Sequence, residues 1–128
     1  MPRRGNSAGL LNGPALRRAI LVGTPLHMLT MLLGHYSGLL ASNEVGFLFA
    51  GMMVSATVGY LYALEVAKGY RRGALGGAIA GGACALAGIA VSVPLGDMSL
   101  KVLASRTLIC VLTGAVGGVY GQLAADWS

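Results

Sequence analysis

The stretch Gly73–Val93, GALGGAIAGGACALAGIAVSV, most constrains what this chain can become. It carries no charge. At about 1.5 Å per helical residue its length matches a ~30 Å hydrocarbon core. In water so much glycine would disfavour a helix by ~1 kcal/mol per residue. In lipid the backbone has no other partner for its N–H and C=O groups, so a helix is the expected form. On a helical wheel Gly73, Gly77, Ala80, Gly81, Cys84, Ala87 and Gly88 fall within roughly 120° of arc. Leu75, Ile79, Leu86, Ile89 and Val93 fall opposite. The smooth side predicts close approach of another helix, and the bulky side predicts contact with acyl chains.

Composition extends this reading to the whole chain. Its 128 residues are 55% hydrophobic and only 10% charged, which leaves little room for a soluble domain. Most of the 21 glycines lie inside apolar runs, so a collagen or a linker is excluded and glycine-mediated helix packing fits. The net charge of +5 is concentrated in two short flanks, a topology signal and not a nucleic-acid footprint. Cys84 and Cys110 both fall within apolar spans and lack CxxC spacing, so neither a structural disulfide nor a metal framework is expected.

Four spans are predicted, at about 19–40, 45–66, 73–93 and 102–124, with 1–18 as a basic tail and 126–128 as the C-terminal end. In the first, Gly23, Thr24, Thr30, Met31, Gly34, Ser37 and Gly38 share the side of His27, and Leu26, Leu29, Leu32, Leu33, Tyr36 and Leu40 lie opposite. In the second, Gly51, Ser55, Gly59 and Ala63 form an i, i+4 row, while Phe47, Val54, Val58 and Leu61 crowd another side. Tyr60 and Tyr62 are expected at the interface. In the fourth, Thr107, Cys110, Gly114, Gly117, Gly118 and Gly121 oppose Leu108, Ile109, Leu112, Val116, Val119, Tyr120 and Leu123. The fold class is therefore all-α, a four-transmembrane-helix bundle with glycine-rich packing.

Orientation follows from the basic residues. Arg3, Arg4, Arg17 and Arg18 precede the first span, and Lys68, Arg71 and Arg72 follow the second. Both segments, and both termini, are expected on the cytoplasmic side of a bacterial inner membrane. Lys101 and Arg106 run against this assignment and are expected to snorkel outward or to pair with Asp97. An organellar transit peptide is the competing reading of the Arg-rich, acid-free start. Arg17–Gly23 also resembles Arg71–Gly77, and Val58–Tyr62 resembles Val116–Tyr120, which suggests two tandem hairpins related by an axis along the membrane normal.

Few groups offer chemistry. His27 sits deep in the first span, where an ionisable residue is a functional candidate. With Thr24 and Thr30 it defines either a polar pathway or a plain hydrogen-bond site, a neutral imidazole bonded to a threonine or a backbone carbonyl. Haem within one chain is disfavoured, because His27 and His35 share a helix and differ by about 80° in direction. Cys84 and Cys110 read as soft packing residues. Gly73, Gly77, Gly81, Gly88, Gly114, Gly117, Gly118 and Gly121 read as helix-packing positions. Glu65, Lys68, Arg71 and Arg72 read as a cytoplasmic charge patch, either solvated topology charges or a site for anionic lipid or an acidic partner.

No phosphate loop, catalytic triad, carboxylate pair or metal-ligand spacing appears, so no enzyme and no cofactor are expected. Two function classes stand. One is a non-enzymatic structural or accessory subunit, packing with itself as a homo-oligomer or with a larger membrane complex. The other is a small oligomeric transporter or channel with its polar face around His27.

Overall fold

The computed structural model describes residues 11–38, 42–66, 69–96 and 99–127. Expectations that fall on Arg3, Arg4, Leu40, Lys68, Asp97 and the last residue of the chain lie outside the described residues. Within them the chain forms α1 (Gly13–Ser37), α2 (Glu44–Val66), α3 (Tyr70–Ile89) with a 3-10 turn at Ala90–Ser92, and α4 (Leu100–Trp127). All four helices are long and apolar enough to cross a membrane.

The helix ends depart from hydropathy in an instructive way. α1 starts at Gly13 and not near Ala19, so Arg17 and Arg18 are helical and not part of a tail. The Asn12 side chain accepts a hydrogen bond from the Ala15 N–H at 3.1 Å, and Pro14 occupies the first turn, where its missing N–H costs nothing. The helix closes at Gly38, whose φ of 71° suits glycine and whose N–H bonds back to the His35 carbonyl. α3 likewise begins at Tyr70, before the expected Gly73, and α4 spans more than 102–124. Charged residues end an apolar run without ending a helix, which is why hydropathy placed these boundaries too far inward.

In cross-section α2 and α3 touch each other, and each also touches α1 and α4. α1 and α4 therefore sit at the far corners of a four-cornered bundle. The α2–α3 contact has no comparable α1–α4 counterpart. The two tandem hairpins are thus not related by the expected membrane-normal axis, which would require the two contacts to match.

Glycine sets the close contacts. A methyl group added at Gly77 would overlap the Gly114 carbonyl, one at Gly118 the Gly73 carbonyl, and one at Gly117 the Ala56 carbonyl. At Gly81 it would lie 3.0 Å from the Cys110 carbonyl oxygen and from the Gly114 Cα. Gly121 lies against Tyr60 and Ala63 in the same manner. On α4 the pair Gly114 and Gly118 faces α3, while Gly117 and Gly121 face α2, so one helix packs backbone-close against two neighbours. Leu75, Ile79, Leu86, Leu108, Leu112, Val116 and Leu123 lie on the outside. The sorting of smooth and bulky sides therefore holds on α3 and α4.

Four side chains break the pattern. Ala87 is exposed and Ile89 is buried, the reverse of their wheel positions. Ile89 packs with Met31, Ala85, Leu103 and Cys110 where α3 nears its end and the neighbouring helices close over it. Val58 is fully buried on the α1 side of α2, in contact distance of Gly23. Tyr62 is also fully buried and turns into the bundle instead of outward. Its ring fills the space above Gly76, where a side chain would collide with it, and its hydroxyl accepts from the Asn12 N–H at 3.1 Å.

Candidate functional site

The buried polar groups of the bundle centre on His27, which is 0% exposed. Gly88 makes room for it, since a methyl there would overlap the His27 Cβ. The ring Nδ1 lies 3.3 Å from the Gly23 carbonyl oxygen, one turn back on α1. Nε2 lies 3.5 Å from the Ser55 hydroxyl of α2. The Ser55 hydroxyl in turn reaches the Gly81 carbonyl of α3 at 3.4 Å. Cys84 of α3 places its Sγ 3.7 Å from Nδ1 and 3.3 Å from the Gly81 carbonyl. Cys110 of α4 borders the same pocket: a methyl at Gly51 would lie 3.9 Å from both its Sγ and His27 Nε2. Ser55, Cys84 and Cys110 are all essentially inaccessible. One side chain from each of the four helices thus meets at a single buried point.

The structure distributes the expected polar pathway differently. Thr30 turns its hydroxyl back to the Leu26 carbonyl at 2.8 Å, and Thr24 is half-buried with its backbone carbonyl against Gly88. Ser55 and Cys84 are the side chains brought to His27. Ser55 was visible in the i, i+4 row as its one hydroxyl; its distance to His27 was not, because that depends on helix register. Arg106 is 7% exposed and lies one turn before Cys110; its expected partner Asp97 is outside the described residues.

The expected charge patch also divides. Glu65 pairs with Arg18 across α1 and α2. Arg71 is exposed and Arg72 half-buried at the start of α3. Gln122, which the sequence did not single out, is buried and ties the same end of the bundle together. It accepts from the Gly69 N–H at 3.0 Å and donates to the Asp126 carboxylate at 2.7 Å. The eight glycines at the expected packing positions are all buried.

This arrangement can hold or pass a proton, and it can pin four helices in register. Cys84 and Cys110 are free thiols. Among the described residues no cluster of three His, Cys, Asp or Glu is placed to hold a metal ion.

Fold and site together define a multi-pass integral membrane protein, built as a glycine-packed four-helix bundle around one polar junction. No protein-family model matches this chain, and no curated protein or solved structure is significantly similar to it.

Proposed function

We propose that this chain serves as a non-enzymatic structural or accessory subunit within a membrane. One observation carries the reading. The glycine faces of α2, α3 and α4 are spent on one another, carbonyl against Cα, so these three helices meet largely through backbone. The polar groups at the centre are paired among themselves. What remains for a partner is the outer apolar surface, including Leu21, Leu29 and Leu33 of α1 and Leu108 and Leu112 of α4. The partner is a second copy of the chain or a larger membrane complex, and Arg17, Arg71 and Arg72 suit anionic lipid at the cytoplasmic face of a bacterial inner membrane. Nucleic acid has no place in this reading. Purification of the tagged chain in gentle detergent, followed by native mass measurement, tests it. The expected result is a homo-oligomer or a stable complex with another membrane protein. A solitary monomer would contradict it.

A second reading, a small transporter or channel, is favoured by the convergence of all four helices on His27. It predicts flux in proteoliposomes that His27→Ala abolishes while the bundle stays folded. The subunit reading predicts no flux from either protein.

A further inference from the structure

We propose that His27 is a reversible proton-binding site of the membrane interior, with the Ser55 hydroxyl as the group that re-pairs when the proton arrives. This goes beyond either functional reading, since a subunit and a transporter could both use it.

A neutral imidazole offers one N–H and one lone pair, and an imidazolium offers two N–H groups. Nδ1 faces the Gly23 carbonyl, which only accepts, and is assigned the hydrogen in either state; the Gly51 carbonyl is a second backbone acceptor for the ring, open to the Nε2 hydrogen once the ring is charged. Nε2 faces the Ser55 hydroxyl, which can do both. That hydroxyl stands almost midway, 3.5 Å from Nε2 and 3.4 Å from the Gly81 carbonyl. With the ring neutral, Ser55 donates to Nε2, and the Cys84 thiol supplies the donor to the Gly81 carbonyl. With the ring charged, Nε2–H donates to Ser55, and Ser55 rotates to donate to the Gly81 carbonyl. Both states leave the hydrogens of the ring, of Ser55 and of Cys84 partnered. The step is a simple association: the Nε2 lone pair takes a proton from hydronium, water is released, and nothing is oxidised or reduced.

The charged groups around the ring set the strength of binding. Among the described residues no charged side chain of α1 or α2 bears on the ring. α3 contributes the Cys84 thiol. α4 contributes the Cys110 thiol, with the Arg106 cation one turn further along. Among the described residues no carboxylate acts on the ring, so oriented dipoles hold the charge.

The test uses the full chain in lipid bilayers. His35→Gln leaves one histidine, so ¹⁵N-histidine magnetic resonance reports His27 alone. At neutral pH the expected ring is neutral with Nδ1 protonated. On acidification both nitrogens should become protonated, reversibly, while the glycine backbone signals of the bundle stay unchanged. Ser55→Ala should lower the proton affinity about tenfold, because the charged form loses a stronger hydrogen bond than the neutral form does. A ring that stays neutral until the backbone signals collapse would overturn the proposal. So would a titration that Ser55→Ala leaves unmoved, or an Nε2-protonated neutral ring. Should Ser55→Ala fail to fold, the wild-type tautomer and its reversibility decide alone.

Discussion

The α3–α4 interface and the docking of α1 use small residues to opposite ends. Between α3 and α4 the glycines meet each other: Gly73, Gly77 and Gly81 face Gly114 and Gly118, and backbone touches backbone. Along α1 a glycine makes room for a partner's side chain. Gly23 accommodates Val58 and Cys84, Gly34 accommodates the Phe47 ring, and Gly88 of α3 receives His27. Backbone contact is rigid, since a carbonyl cannot step aside. Side-chain contact can adjust by rotamer. The first region should therefore be intolerant of added volume and nearly indifferent to polarity. The second should tolerate some volume and depend on its hydrogen bonds and ion pair.

The sharpest way to break this contrast is Gly114→Leu. Its site is bounded by the Gly77 carbonyl and the Gly81 Cα, and a methyl at Gly59 would in turn strike the Gly114 carbonyl. The expected loss is about 3 kcal/mol or more, enough to prevent assembly. A thiol-reactive dye reads this directly, because Cys84 and Cys110 are both buried and become reactive only on opening. His27→Ala should cost about 2–3 kcal/mol, from the cavity and from the unpaired Ser55 hydroxyl. Its effect should be local: in a Cys110→Ala background, Cys84 should label early while α3 and α4 stay together. If Gly114→Leu proves the milder of the two, the contrast is wrong.

How far the sequence reached can be judged from the same two regions. The glycine faces were legible because a helix wheel needs only local geometry, and so were the outward-facing Leu75, Leu108 and Leu112. The start of α1 was legible too, in Asn12 and Pro14, but hydropathy looks past caps and stops at Arg17 and Arg18. The site was legible only at His27. Ser55 and Cys84 reach it through the register between helices, which no single-helix pattern records. Tyr62 misled for a related reason: a tyrosine near a span end suits an interface equally well until Gly76 and Asn12 are known to receive it. Ile89 was misplaced because the buried arc of α3 widens where three neighbours surround it.

Two smaller effects sharpen the comparison. Glu65→Gln removes the Arg18–Glu65 ion pair. Both side chains are substantially exposed, so the cost should be at most about 0.5 kcal/mol, falling further at high salt. A melting curve at two ionic strengths would measure it. Leu75→Ala should be nearly silent, within about 0.5 kcal/mol, because its side chain meets lipid whether or not the helices are packed. A loss matching that of His27→Ala would mean that Leu75 has a protein partner.

Glycine backbones meeting inside the bundle hold α3 against α4. Through-space magnetic resonance on the glycine-labelled chain in bilayers tests this most directly. It predicts strong cross-peaks between the Gly77 and Gly114 backbones and between Gly73 and Gly118, with none from these residues to acyl chains. Acyl-chain cross-peaks at Gly77 and Gly114, with none between the two glycines, would contradict it.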